Sequence, residues 1–215
     1  MVLDRLGSRA RRRNGSPLVI VVAPDSFKGS LTSVEVAEAL ATGWRHVRPA
    51  DEVALAPLAD GGEGTLAAIE ATGGWERRTA PARDPIGRWI EAPWLLSTDG
   101  MTAIVELAAA SGLSRLASWE LDPIGATTHG TGDLLLAAAD AGARHVVLGI
   151  GGSATTDGGR GILEALGATV VGAGSATTVD LSGLDGCLGV ISLEVACDVT
   201  NPLLGKRGAA ATYGP

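Results

Sequence analysis

The segment Gly149-Ile150-Gly151-Gly152-Ser153-Ala154-Thr155-Thr156-Asp157-Gly158-Gly159 constrains this chain more than any other. It follows the apolar run Val146, Val147, Leu148, which predicts a short buried strand, and leads into Ile162–Leu166, which reads as a helix. Five glycines, three hydroxyls and one carboxylate therefore fall on a strand-to-helix turn. Backbone N–H groups can point outward at such a turn, and a helix N-terminus favours negative charge. The combination suits a phosphorylated or carboxylated ligand. Gly149, Gly151 and Ala154 also match the looser form of the G-x-G-x-x-A dinucleotide fingerprint. Against that reading, residues 155–159 delay a clean helix, and Asp157 beside a pyrophosphate needs an intervening cation. No G-x-x-x-x-G-K-[ST] run occurs, which excludes a P-loop.

The chain has 46% hydrophobic residues but only 3% aromatic ones, so its core must be built from Val, Leu, Ile and Ala. That palette predicts an α/β fold with buried strands flanked by Ala-rich helices. Leu18–Ala23 reads as a first, central strand. A helix follows to about Val47, with Ser30, Thr32 or Ser33 as its cap and Glu35 in its first turn. A short strand at 53–55, the turn 60–65 and a helix from Thr65 to about Ala71 complete a βαβα pattern. From Trp75 the texture changes. Strands at 75–80, 88–95 and 102–106 are joined by turns at 84–87 and 97–100, which implies antiparallel neighbours in a different sheet. Helices at 130–141 and 159–167, strands at 145–149 and 190–196, and a loop at 172–178 follow. The expected organisation is a disordered basic tail over 1–16, a Rossmann-like α/β domain over 17–73 and a second α/β domain over 74–215.

A net charge of −7 argues against nucleic-acid binding. No apolar run reaches the roughly 18 residues of a membrane helix. Cys187 and Cys197 imply neither a disulfide framework nor a zinc site. A cytoplasmic protein with small-molecule ligands is expected. The cluster Arg9, Arg11, Arg12, Arg13 reads as a solvated tail or, less simply, a targeting arm.

Four polar turns follow predicted strands, where α/β folds bind ligands. They are 25–30, 60–65, 149–159 and 198–202. Lys28, in a Gly/Ser loop, is either a phosphate-contacting cation or an ordinary solvated charge. Asp60 and Glu63 can orient a hydroxyl, hold Mg²⁺ through oxygen, or, for Asp60, cap the next helix. Asp157 has the same alternatives, and Asp198 can form a turn with Asn201. Four such turns together are what phosphoryl transfer needs. His46 and His145 read as structural, and His129 as a possible lining residue.

The runs Ala23-Pro24-Asp25-Ser26-Phe27-Lys28-Gly29-Ser30-Leu31 and Pro57-Leu58-Ala59-Asp60-Gly61-Gly62-Glu63-Gly64-Thr65, with the 149–159 turn, resemble the glycerate kinases of the bacterial glycerate 2-kinase type. Glu106 with Ala109–Leu113, the Gly130-Thr131-Gly132 turn and Cys197–Leu203 match as well, in the same order. The resemblance implies two α/β domains with the site in the cleft between them. It also implies ATP- and Mg²⁺-dependent phosphorylation of D-glycerate to 2-phosphoglycerate. Carried over by position, Lys28 and Ser26 would meet phosphate or the substrate carboxylate. Asp60 and Glu63 would serve hydroxyl activation or metal. Gly151, Gly152, Ser153, Thr155 and Asp157 would cradle substrate. Asp198, backed by Asn201, would be metal ligand or base.

The chain departs from the family's pattern at Thr156, where Asn is usual, and in a shorter segment between Leu166 and Asp180. It also stops at Tyr213-Gly214-Pro215, where family members continue, so a truncated chain with an incomplete first domain and little activity is expected. Two rival readings follow. One is an inactive or binding-only remnant, marked by strands 18–23 and 53–55 lacking neighbours. The other is an NAD(P)-dependent oxidoreductase, resting on the loose fingerprint alone.

Overall fold

The computed structural model describes residues 17–172 and 176–213. The arginine-rich tail and the Gly214-Pro215 end lie outside these residues, as does the middle of the predicted 172–178 loop. The chain divides into two compact units between Pro57 and Leu58.

The first unit is β1 (Val19–Val22), α1 (Ser33–Val47) and β2 (Glu52–Leu55). The start of α1 is the predicted one. The Glu35 amide donates to Thr32 Oγ1 at 3.2 Å, and the Thr32 amide donates to Glu35 Oε2 at 2.8 Å, a reciprocal capping box. Val36, Ala37 and Ala41 form its buried stripe. β1 and β2 pair in parallel, with Val19 opposite Glu52 and Val22 opposite Leu55. The expected central strand has no other partner among the described residues. Val19 and Val21 are accordingly 54% and 45% exposed. Asp51 ties the unit together. Its side chain is buried and accepts from the Leu18 amide at 3.0 Å, Trp44 Nε1 at 3.0 Å and Arg48 Nε at 2.6 Å. These bonds, the Arg48 guanidinium first, hold its carboxyl well below the usual carboxylate range.

The second unit is a five-stranded sheet in the order β3-β4-β5-β6-β9. β3 (Trp75–Arg83), β4 (Trp89–Ser97) and β5 (Thr102–Glu106) form an antiparallel meander. β6 (His145–Gly149) and β9 (Ser192–Ala196) extend it in parallel. The meander is the predicted second sheet, with β3 and β4 longer than expected. Its first turn is closed by Asp84, whose carboxylate accepts from the Ile86 and Arg88 amides at 3.0 and 2.9 Å. Helix α2 (Thr65–Glu70) places Leu66 and Ile69 against the sheet core of Leu95, Ile104, Val105 and Val146. It therefore belongs with the second unit, whereas the sequence drew the boundary after Gly73. Leu134, Leu135 and Ala138 of α4 (His129–Asp140) join the same core.

Four short elements escape the sequence reading. They are α3 (Leu107–Ser111), running straight on from β5, the β7–β8 pair (Thr169–Val171 and Thr178–Asp180), which is antiparallel, and α6 (Ala209–Tyr213). Helix α5 (Arg160–Ala165) begins where the glycine turn ends. No helix among the described residues is long and apolar enough to cross a membrane.

Candidate functional site

Two of the four polar turns, 60–65 and 149–159, meet at the carboxyl edge of the five-stranded sheet, against the last residue of β9, the strand that leads into the 198–202 turn. The 60–64 turn lies directly on the loop after β6. The Gly151 amide donates to the Gly61 carbonyl at 3.1 Å, and the Ile150 amide to the Ala196 carbonyl at 3.4 Å. A Cβ on Gly149 would sit 2.4 Å from Gly61 O, and one on Gly151 would sit 2.7 Å from Gly62 Cα. A Cβ on Gly61 itself would come within 3.1 Å of Ala196 O. Only glycines let these backbones lie in contact. The glycine richness is thus a packing requirement between turns, and the Ile150 and Gly151 amides are consumed by it. This removes the basis of the dinucleotide fingerprint, whose glycines must leave room for a pyrophosphate. The NAD(P) reading is dropped on that ground.

The remainder of the loop is held by its own polar groups. Asp157 Oδ2 accepts from the Thr128 amide and hydroxyl, both at 2.8 Å, and from the Gly161 amide at 3.0 Å. Its Oδ1 accepts from the Gly159 amide at 3.1 Å. The carboxylate thereby caps α5 and joins it to the start of α4. Ser153 Oγ lies 2.7 Å from Thr155 Oγ1 and accepts from the Thr155 amide at 3.0 Å. The Thr156 hydroxyl donates to the Pro123 carbonyl. Gly152, exposed with φ +72°, forms the outward bend.

Asp60 is exposed, with Oδ1 accepting from the Gly62 amide at 2.9 Å. Glu63 is exposed and lines a cavity of about 350 Å³ together with Glu106, Arg77, Ser114 and Arg115. Asp198 is exposed just beyond the end of β9, and Asn201 is half-buried, its Nδ2 donating to the Pro202 carbonyl at 3.3 Å. Ser26 and Lys28 lie in the first unit. The Ser26 amide donates to Asp25 Oδ1 at 2.6 Å, the turn closes through the Ser30 amide on Phe27 O at 2.8 Å, and Lys28 is exposed.

Among the described residues no group of three or more His, Cys, Asp or Glu is placed to hold a metal. An all-protein cage is therefore not present there. Mg²⁺ is commonly held by one or two carboxylates, with waters and substrate phosphates completing its shell. The exposed, oxygen-only side chains of Asp60, Glu63 and Asp198 fit that mode. His129 does not face outward from this group. Its ring lies between Arg83 Nη1, 2.6 Å from Nε2, and Asp133 Oδ1, 3.3 Å from Nδ1.

Glu106 entered the sequence reading only as part of the family resemblance, with no role given to it. It stands at the end of β5 opposite Gly149 of β6, is 5% exposed, and its Oε2 accepts from the Leu66 amide at 3.0 Å. A lone carboxylate inside the apolar run Thr102–Ala110 was the signal available.

The family model described as the glycerate kinase family matches residues 20–215. A protein of Escherichia coli (strain K12) named glycerate 2-kinase is 47% identical over 209 residues, covering 91% of this chain and 55% of that protein. A glycerate kinase of Bacillus subtilis (strain 168) is 44% identical, with 91% and 54% covered. The crystal structure of a putative glycerate kinase 2 from Salmonella typhimurium LT2 superposes with a TM-score of 0.79 at 42% identity, covering 93% of this chain and 57% of that one. The chain spans about half the length of the curated relatives it matches.

Proposed function

This chain belongs to the glycerate kinase family, and from that premise we propose that it phosphorylates D-glycerate with ATP and Mg²⁺, giving 2-phosphoglycerate in the cytoplasm. The observation that supports the proposal is the meeting of the 60–64 turn with the loop after β6 and with Ala196 at the end of β9 at one sheet edge. Exposed carboxylates stand on a rigid backbone support there, as a phosphoryl-transfer site requires.

When bound, ATP supplies the phosphoryl group and Mg²⁺ the charge that screens it. Asp60 accepts the proton of the attacking hydroxyl as its oxygen bonds to phosphorus and the bond to the departing ADP oxygen breaks. Glu63 and Asp198 would be the oxygen donors for the metal, and Asn201 would steady the loop that carries Asp198. Gly151, Gly152, Ser153 and Thr155 line the substrate side. Asp157, saturated by its own loop, keeps that lining in place. Lys28 and Ser26 neutralise and bind phosphate or the substrate carboxylate.

A coupled assay for ADP with D-glycerate, ATP and Mg²⁺, followed by ³¹P NMR of the product, tests this. The expected result is D-glycerate-dependent ADP release and a 2-phosphoglycerate resonance. Binding of D-glycerate without ADP release would favour a binding-only role. A 3-phosphoglycerate product would correct the position of transfer.

A further inference from the structure

We propose that Glu106 is a positioning residue for the proposed phosphoryl-transfer site, holding the turn that carries Asp60 and Glu63 at a fixed height above the sheet edge. The inference rests on the functional reading above, but its structural part stands apart from it.

Helix α2 has no cap of its own. Its N-cap is Gly64, in the left-handed region at φ +95°, and no side chain of the turn bonds its first amides. The acceptor is brought instead from a different element, 40 residues along the chain, as Glu106 Oε2 on the Leu66 amide. The Thr65 amide beside it donates to the Gly62 carbonyl at 3.2 Å, and the charge of Glu106 is further favoured by the Gly64 and Thr65 amides. A local Ser or Asp at the cap would meet the same need at the surface. A buried carboxylate is the costlier device. Burial pushes its carboxyl above the ordinary range, the three amides pull it down, and the charge of Glu63 raises it again.

That arrangement accomplishes what a local cap cannot, because Glu106 is fixed at the end of β5 in register with Gly149. The glycine contacts hold Gly61 and Gly62 from the β6 side, and Glu106 holds Leu66 from the β5 side. Asp60 and Glu63 lie on the short stretch between or beside these anchors. Glu63 and Glu106 line the same cavity, which also receives Arg77 and Arg115. A shift of the turn is therefore a shift of the proposed reacting carboxylate, and a displacement near 1 Å costs on the order of a hundredfold in rate.

The test compares Glu106→Ala and Glu106→Gln with the unaltered chain. Two readouts are used, D-glycerate kinetics and amide hydrogen exchange over residues 60–66. Glu106→Ala is expected to lower kcat by about a hundredfold with a much smaller change in KM, and to remove protection from the Leu66 amide while β5 and β6 stay protected. Glu106→Gln keeps a carbonyl oxygen for the Leu66 amide and is expected to restore most of both. Wild-type kcat and protection in Glu106→Ala would overturn the proposal. So would a Glu106→Gln variant as slow as Glu106→Ala with its amides protected, because the carboxylate would then act on substrate itself. If the unaltered chain does not turn over D-glycerate, the functional reading fails, and the exchange readout still decides whether Glu106 holds the turn.

Discussion

Asp51 and Asp157 solve the same problem in the two units. Each carboxylate gathers donors from segments that the chain must bring together, Leu18, Trp44 and Arg48 in one case and Thr128, Gly159 and Gly161 in the other. Asp51 carries a pH consequence. Its folded pKa lies below its unfolded one, so its contribution is complete above the unfolded value and is lost as pH falls through the folded one. Helicity of α1 is expected to decline below about pH 4, and Asp51→Asn should flatten that decline in a circular-dichroism acid titration while lowering stability at neutral pH. For Asp157, replacement by Ala leaves three amides without their acceptor and should cost about 2–3 kcal/mol in urea unfolding. The sequence left Asp157 open between ligand contact and capping, and only the positions of Thr128 and Gly161 show which donors reach it.

At the scale of elements, what the chain spells out locally is what could be read. The 75–106 meander is marked by alternating strands and by turns at Asp84–Gly87 and Ser97–Gly100, and α1 by Thr32 and Glu35. The β7–β8 pair is not marked, since Thr178, Val179 and Asp180 are all exposed and carry no apolar alternation. Helix α3 continues the apolar run of β5 without a break that periodicity detects. The glycine turn was located but its physical reason was not, because glycine serves close packing and ligand approach equally well. Two substitutions separate these uses. Gly149→Ala drives a Cβ to 2.4 Å from Gly61 O and is expected to cost about 2–3 kcal/mol or more. Gly158→Ala meets open space at φ +64° and should cost only the left-handed strain, about 1–2 kcal/mol. Thermal unfolding of the two variants side by side measures the difference, and equal losses would mean that the two turns do not depend on close contact.

For the whole molecule, the sequence located four turns after strands, and the sheet order β5-β6-β9 brings the loop after β6 and the end of β9 beside the 60–64 turn. Which strands would be buried was less legible. Leu18–Ala23 looks like the interior of a sheet, yet Val19 and Val21 are half-exposed because burial depends on neighbours that a strand's own residues do not name. The role of Glu106 was hidden for the converse reason, a charge within an apolar run whose partner amide is distant in sequence. The central proposal is phosphoryl transfer to D-glycerate that depends on the carboxylates of the second unit and, as the family resemblance implies, on Lys28 of the first. The direct test is the rate of D-glycerate-dependent ADP formation by the chain, by Lys28→Ala and by Asp198→Asn. The account predicts D-glycerate-dependent turnover by the unaltered chain, slow as expected for one spanning about half the length of its relatives, and a further fall of about a hundredfold or more in each variant; an unchanged rate in both variants would contradict it.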